Sequence, residues 1–314
     1  MDSSVVISTF NGIAFVEEQL NSIRKQTVAP REVIIADDCS TDGTFEFIKE
    51  YIEINKLDTW NVSRNKRNIG WKKNFWQLIK KAKYEYIFLA DQDDIWSLNK
   101  IEALLASAEK YPQGELFYSN FKSFENFEEI NTLEKVKLKN TSQVVCDVNF
   151  TTLPAPGCTF LIKRSLYTES SKYWDSDFPH DFSLWVTAML RETVYHNENV
   201  LHYWRMHKSS AYYTVPYKKM SNLVKFRDNA NKIFIKRRNV AHMRIAFLEK
   251  WQSINDRNTK VQDSLIFEKK RILYLENKKI CMYIRSIFNY REFYSSFDSM
   301  LADFYIILFS GGAQ

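Results

Sequence analysis

Short apolar runs alternate with amphipathic stretches over the first hundred residues. Val5-Val6-Ile7-Ser8-Thr9-Phe10 is brief, β-branched and halted by Asn11-Gly12, as a buried strand would be. Phe15 to Gln26 carries Phe15, Leu20 and Ile23 on one side with charged residues between, which predicts an amphipathic helix. After Pro30 the strand pattern returns in Glu32-Val33-Ile34-Ile35-Ala36 and runs into Asp37-Asp38-Cys39-Ser40-Thr41-Asp42-Gly43-Thr44. A helix over 45–55, a strand near Trp60-Asn61-Val62 and a helix opened by Asn68-Ile69-Gly70-Trp71 and running to Lys83 follow. Tyr86-Ile87-Phe88-Leu89-Ala90 reads as a fourth buried strand, ending at Asp91-Gln92-Asp93-Asp94. Strands alternating with helices at roughly 30-residue spacing predict a mostly parallel sheet covered by helices. Such sheets bind ligands beyond the carboxyl ends of their strands, and both acidic clusters fall at that edge.

Beyond Lys100 the pattern loosens. A helix over Ile101 to Tyr111 and a strand at Glu115-Leu116-Phe117-Tyr118-Ser119 are expected. Glu125 to Asn140 is polar and reads as a surface excursion. Pro154-Ala155-Pro156-Gly157-Cys158 reads as a loop entering a strand at Thr159-Phe160-Leu161-Ile162, and His180-Asp181-Phe182-Ser183-Leu184-Trp185 as a helix start. Asn199 to Tyr203 reads as a strand leading into Arg205-Met206-His207. From Tyr217 onward helical periodicity rich in Lys and Arg dominates, so two parts are expected: 1–216, the α/β unit, and 217–314, a helical, basic, aromatic-rich extension.

Composition supports a folded core. Hydrophobic residues make up 45% and charged residues 26% of 314, which excludes global disorder. Charge is uneven: the extension holds 19 Lys and Arg against 9 Asp and Glu, the remainder 25 against 29. Basic helices bearing aromatic residues suit an anionic membrane surface or packing on the main domain or a partner subunit. No recognised nucleic-acid module accompanies the charge, so no nucleic-acid partner is expected. No run of about 18 apolar residues occurs, and Met1-Asp2-Ser3-Ser4 lacks the basic start of a secretory signal. Cys39, Cys146, Cys158 and Cys281 have no CxxC spacing, which argues against a structural zinc site or a disulfide framework.

The candidate chemistry lies in the carboxylates. Three within four residues after an apolar strand repel one another unless a partner is present. Mg²⁺ or Mn²⁺ would accept oxygen ligands there and bridge phosphate oxygens. Alternation along a strand end puts Asp91 and Asp93 on one side. Asp94, ahead of Ile95-Trp96, also suits a helix first turn. Asp37-Asp38 could accept hydrogen bonds from a pyrimidine N–H, or belong to a loop that caps the next helix.

In order and spacing, Ile7-Ser8-Thr9-Phe10-Asn11-Gly12, Asp37-Asp38-Cys39-Ser40-Thr41-Asp42-Gly43-Thr44, Asn68-Ile69-Gly70 and Asp91-Gln92-Asp93-Asp94-Ile95-Trp96 resemble the family-two glycosyltransferases of the GT-A fold. The resemblance covers about the first 210 residues. It implies a Rossmann-like α/β sheet and a cytoplasmic transferase, lying at the inner face of the cell membrane if the basic tail binds lipid. It also implies a nucleotide-diphosphate sugar donor of UDP or dTDP type, a saccharide or lipid-linked acceptor, and inversion at the anomeric carbon. Asp-Gln-Asp-Asp-Ile-Trp looks most like the bacterial branch that builds surface polysaccharide, which includes many rhamnosyltransferases.

Carried over position by position, Asp38 matches the residue that contacts the donor base, and Thr9 and Asn11 border the nucleotide. Asp91 and Asp93 match the metal-binding acidic pair, with Asp93 on the metal and Asp91 or Asp94 nearer the ribose and sugar. Asp181 matches the catalytic base. His180 replaces the Glu that usually precedes it. Tyr203-Trp204-Arg205-Met206-His207 resembles the segment that closes over the diphosphate, which makes Arg205 a diphosphate contact and His207 a metal ligand. Asp181 also suits a helix N-cap, and His207 a surface loop. Two further readings keep the fold: a non-catalytic nucleotide-sugar-binding scaffold, and a sugar nucleotidyltransferase. The latter usually needs a Gly-rich basic loop after the first strand, which Thr9-Phe10-Asn11-Gly12 is not.

Overall fold

The structure, a computed structural model, describes residues 1–125, 130, 135–207 and 223–310. The chain divides into two compact units, residues 1–145 with 153–211 and residues 146–152 with 212–314. A seven-residue piece from the middle of the chain thus belongs with the C-terminal helices.

In the first unit the apolar runs become strands β1 (Ser3–Thr9), β2 (Glu32–Asp37), β3 (Trp60–Arg64) and β4 (Tyr86–Asp91). The amphipathic stretches between become helices α1 (Val16–Arg24), α2 (Thr44–Ile54) and α3 (Trp71–Lys81). Further on lie β5 (Ile95–Trp96), α4 (Lys100–Lys110), β6 (Leu116–Phe124), β7 (Thr141–Gln143), β8 (Phe160–Lys163), α5 (Arg164–Ser170), α6 (His180–Leu190) and β9 (Val194–Arg205). Among the described residues the strands form one sheet in the order β3-β2-β1-β4-β8-β6-β9-β5, with β7 also paired to β9. The β1, β2, β3 and β4 pairings are parallel, as is β6 with β9. β8 runs antiparallel between β4 and β6.

Register sets the site. Ser8 pairs with Asp91, and Thr9 with Asp37, so both acidic clusters leave the sheet side by side. The period-2 alternation of strands sends Val5 and Ile7 into a cluster with Val16, Leu20 and Ile23 of α1, Ile48 of α2 and Leu104 of α4. These side chains are fully buried.

Two departures from the sequence reading bear on function. Ile95-Trp96 is a short strand antiparallel to β9, with Ile95 opposite Tyr203 and Trp96 opposite His202. Both residues are fully buried, so Asp94 precedes a strand, not a helix first turn. The strand expected at Asn199–Tyr203 is the last part of the twelve-residue β9, whose end lies beside the β4 cluster. Part of the polar stretch Glu125–Asn140, and residues Tyr217–Asn222, lie outside the described residues.

The second unit consists of α7 (Leu223–Ile254), α8 (Thr259–Glu276), α9 (Ile280–Tyr290) and α10 (Phe297–Phe309). Phe234, Tyr274, Leu275, Tyr283, Ile306 and Ile307 pack at its centre. The Asn258 side chain caps α8 through the Val261 N–H at 3.2 Å, and Ser296 caps α10 through the Ser299 N–H at 3.0 Å. Asp303 is fully buried. It accepts from Arg237 Nη1 at 2.7 Å, Arg271 Nε at 2.7 Å, Tyr274 at 3.1 Å and Tyr294 at 3.1 Å. Part of the extension's basic surplus is therefore spent inside it. No helix among the described residues is long and apolar enough to cross a membrane.

Candidate functional site

Three loops at the carboxyl edge of the sheet are tied together by their own side chains. The Asp37 carboxylate accepts from Thr9 Oγ1 at 3.2 Å and the Ser40 N–H at 2.9 Å. Asn11, at φ 48°, takes the left-handed conformation that Asn tolerates. Its N–H donates to Ser40 Oγ at 2.9 Å, and its Oδ1 accepts from the Thr41 N–H at 2.9 Å. Gln92 clamps the first loop from the other side: its Oε1 accepts from the Phe10 N–H at 2.8 Å and its Nε2 donates to the Phe10 carbonyl at 3.0 Å. Gly12 leaves room for that clamp, since a Cβ there would lie 2.2 Å from Gln92 Oε1.

Asp38 is buried and accepts three hydrogen bonds, from Asn65 Nδ2 at 2.8 Å, the Ile69 N–H at 2.9 Å and the Gly70 N–H at 2.8 Å. Gly70 sits at φ 83°, a conformation that strongly favours glycine. The Asn68-Ile69-Gly70 motif thus wraps the Asp38 carboxylate. About four lone-pair sites exist on a carboxylate, so one remains for a ligand N–H.

At the end of β4 the carboxylates divide their labour. Asp93 Oδ2 lies 2.7 Å from His207 Nε2, and the His207 ring packs on Phe15 with centroids 4.6 Å apart. Asp94 is fully buried and turned inward. Its Oδ1 accepts from the Arg205 N–H at 2.9 Å, and its Oδ2 lies 2.8 Å from His202 Nε2. Burial, and then Asp93, push the Asp94 carboxyl up to about 8. Burial, Asp94, Asp93 and Asp181 together hold Asp91 well above the usual carboxylate range. Asp181 is the smallest of these contributors to Asp91.

Arg205 does not have the freedom expected of a diphosphate contact. Its Nε donates to the Asp93 carbonyl at 2.7 Å and its Nη2 is paired with Glu18. The guanidinium carbon lies 5.0 Å from the Phe15 ring centroid and 4.5 Å from that of Phe124. With its side chain 6% exposed, Arg205 braces the backbone of Asp93.

Asp181 opens α6, buried at 6% exposure, with its Oδ1 accepting from the Phe182 N–H at 2.8 Å. The turn before β8 presses against it: a Cβ on Gly157 would lie 2.6 Å from Asp181 Cβ. His180 is stacked on Phe75 with centroids 4.2 Å apart. Burial pushes its imidazole down to about 4, so it is neutral at pH 7 and cannot replace the charge of a carboxylate.

A divalent ion fits Asp93 and His207, which offer one oxygen and one nitrogen at adjoining positions beside Asp91. Burial first, and then the neighbouring carboxylates, disfavour the charged forms of Asp91 and Asp94, a cost that a cation would offset. Asp94, Cys158 and His202 also bring one ligand atom each within 4.8 Å of one another. Lys100 Nζ lies 3.1 Å from His202 Nδ1; burial lowers its ammonium to about 7, and in its charged form it disfavours a second cation there.

Residues 4–170 match the model of glycosyl transferase family 2. The chain belongs to that family. It is 31% identical over 171 residues to the dTDP-rhamnosyl transferase RfbG of Shigella flexneri, an alignment covering 53% of this chain and 57% of that protein. It is 30% identical over 102 residues to the putative teichuronic acid biosynthesis glycosyltransferase TuaG of Bacillus subtilis, covering 32% and 40%. The matches span 57% and 40% of the length of these two curated relatives. Among solved structures, Staphylococcus aureus TarS residues 1–349 in complex with UDP-GlcNAc superposes with a TM-score of 0.57 at 18% identity, over 98% of this chain and 90% of that one. The mannosyltransferase PcManGT of Pyrobaculum calidifontis, in complex with GDP-Man and Mn²⁺, gives 0.52 at 14% identity, over 99% and 76%. Both support the GT-A-like sheet flanked by helices.

The sequence reading passed over Gln92, Glu18, Lys100, Cys158 and His202. One signal was present for Lys100: a cation at the first position of α4 opposes the helix dipole, which asks for another reason to be there.

Proposed function

We propose that this family 2 glycosyltransferase moves a sugar from a UDP- or dTDP-linked donor to a saccharide or lipid-linked saccharide, with inversion, in the synthesis of a bacterial surface polysaccharide. The observation that carries the reading is the 2.7 Å approach of Asp93 and His207 beside Asp91, whose carboxyl also feels Asp181. A donor-side metal pair and an acceptor-side carboxylate then adjoin one reacting centre. The dTDP-rhamnosyl transferase relative supports a deoxyhexose donor.

Asp93 and His207 would hold Mg²⁺ or Mn²⁺, which when bound supplies charge neutralisation for the departing diphosphate. Asp91 faces the ribose and sugar, and the remaining lone pair of Asp38 accepts from the base, with Thr9 and Asn11 fixing the loop beside it. Asp181 takes the proton of the acceptor hydroxyl as its oxygen bonds to the anomeric carbon. The bond from that carbon to the diphosphate oxygen breaks, and the nucleoside diphosphate leaves with the electron pair. Arg205 acts by bracing Asp93.

Incubation with UDP-, dTDP- and GDP-sugars, with and without Mn²⁺, tests this. Metal-dependent release of nucleoside diphosphate, lost in Asp181→Asn while nucleotide binding persists, is expected. Release of pyrophosphate would instead indicate the nucleotidyltransferase, and Asp181→Asn turning over near the wild-type rate would remove the base.

The helical unit bears the second part of the reading, contact with an anionic lipid surface. Ile280, Ile284 and Phe288 are exposed at 37%, 45% and 84% and recur every fourth residue, so they form one stripe of α9. Exposed Lys278, Lys279, Arg285 and Arg291 lie on or beside that helix. Sedimentation with phosphatidylserine vesicles should fall in Ile284→Glu/Phe288→Glu, and equal sedimentation would dismiss the stripe.

A further inference from the structure

Lys100 is fully buried, and each of its contacts leads to a different part of the site. Its Nζ donates to the Cys158 carbonyl at 2.6 Å, lies 3.1 Å from His202 Nδ1 and sits 3.9 Å from the Trp96 ring centroid. Burial lowers the Lys100 ammonium to about 7; in its charged form it has donors only, so His202 Nδ1 then accepts and the neutral ring carries its proton on Nε2. That N–H donates to Asp94 Oδ2 at 2.8 Å. The tautomer is therefore fixed from one side by Lys100 and read on the other by Asp94.

From Asp94 the chain of contacts continues to the metal pair. Oδ1 of Asp94 accepts the Arg205 N–H, and the Arg205 side chain holds the Asp93 carbonyl. His207 follows Arg205 by two residues and meets Asp93 Oδ2. In the opposite direction the Cys158 carbonyl belongs to the turn Gly157–Thr159, whose first residue presses against Asp181. One ammonium thus touches the scaffold of the donor side and the scaffold of the acceptor side.

We propose that Lys100 is a positioning residue that sets the metal-holding ends of β4 and β9 against the turn behind Asp181. This rests on the metal and base assignments above. Holding the reacting groups in register is a large part of transfer, because misplacement by about 1 Å can cost on the order of a hundredfold in rate. Groups that orient metal ligands typically carry about 10–100-fold in metal affinity or activity.

The test compares the whole protein with Lys100→Met and His202→Gln. Affinity for Mn²⁺ alone is read by electron paramagnetic resonance. Turnover is read as release of nucleoside diphosphate at saturating metal, with the donor selected by the panel above. Lys100→Met severs both links, so Mn²⁺ affinity should fall about tenfold or more and turnover at saturating Mn²⁺ should also fall at least tenfold. His202→Gln cuts only the link toward Asp94. It should show the loss in Mn²⁺ affinity with a turnover loss at least ten times smaller than that of Lys100→Met. A folded Lys100→Met protein with wild-type Mn²⁺ affinity and turnover would overturn the proposal, as would wild-type Mn²⁺ affinity in His202→Gln should Lys100→Met not fold.

A metal-free readout separates this proposal from the functional reading beneath it. The ¹⁵N shifts of His202 should report a single Nε2–H tautomer in the wild type and lose that signature in Lys100→Met. Wild-type protein that binds no Mn²⁺ would remove the metal assignment, and with it the stated role of Lys100. Unchanged His202 shifts in folded Lys100→Met would sink the coupling by itself.

Discussion

Gly12 and Gln92 offer a perturbation whose outcome is set by two numbers. The backbone of Gly12 lies outside the left-handed region, so alanine meets no conformational barrier there. The obstacle is Gln92, whose Oε1, Cδ and Nε2 would lie 2.2, 2.4 and 2.9 Å from the new Cβ. These atoms are the end of a flexible side chain, so the clash is relieved by expelling the amide at the loss of its two hydrogen bonds to Phe10. At about 1 kcal/mol each the loss is about 2 kcal/mol. Replacing glycine by alanine at a compatible position returns about 0.4–1 kcal/mol by restricting the unfolded chain. Gly12→Ala should therefore destabilise the first unit by about 1–1.5 kcal/mol, and Gln92→Ala by about 2 kcal/mol. In the Gln92→Ala background the clash is gone, so Gly12→Ala should stabilise by about 0.4–1 kcal/mol. Urea unfolding followed by tryptophan fluorescence reads the cycle, because Trp251 alone of the 8 tryptophans lies in the helical unit. Additive losses, with Gly12→Ala destabilising the Gln92→Ala protein further, would refute the clamp.

Asp303→Asn should cost the helical unit about 3–5 kcal/mol, because it removes the buried charge that faces both Arg237 and Arg271. Burial raises the Asp303 carboxyl, but Arg271 and Arg237 outweigh it and hold the group below its ordinary value. Its stabilisation is therefore present above about pH 4 and lost as pH falls through the folded pKa. Far-UV circular dichroism against pH should show that acid loss in the wild type and not in the variant. The His180 imidazole is pushed by burial from 6.5 down to about 4, so the unfolded chain binds a proton first as pH drops. Stability should fall by about 3 kcal/mol between pH 6.5 and 4 through this group, and His180→Phe should flatten that part of the profile. An unaltered profile would remove His180 as the cause. Arg205→Lys keeps the charge but loses the planar fork that joins Glu18 to the Asp93 backbone. Mn²⁺ affinity should drop about tenfold, and unchanged affinity would deny the brace.

The sheet was legible because β1, β2 and β4 are buried on both faces and read as continuous apolar runs. The places of Asp38, Asp93 and Asp181 at strand or helix ends were legible from the pattern, but carboxylates there also cap helices, so the roles expected of them rested on the resemblance of the motifs. Strand order was not: β8 enters antiparallel between β4 and β6, and nothing in Phe160-Leu161-Ile162-Lys163 specifies its neighbours. Ile95-Trp96 escaped because two residues carry no period, and its pairing depends on β9, about a hundred residues away in sequence. Arg205 looked available for phosphate because a sequence shows a cation without its partner; Glu18 lies far away along the chain. Lys100 showed only its unfavourable place at the start of α4 and His202 nothing, for the same reason: a buried lysine and a strand histidine are distinguished from surface residues only by what surrounds them. The sequence does not tell which basic residues of the tail face solvent: Arg237 and Arg271 pair with Asp303, and Arg244 with Glu268.

Asp93 and His207 are proposed to hold the divalent ion that a nucleotide-sugar donor would need. Crystals grown with Mn²⁺ and UDP or dTDP test it through the anomalous signal of manganese. A peak is expected within about 2.0–2.6 Å of both Asp93 Oδ2 and His207 Nε2, abolished in Asp93→Ala. A peak at Asp94, Cys158 and His202 instead, or none near Asp93 with the nucleotide in place, would contradict it.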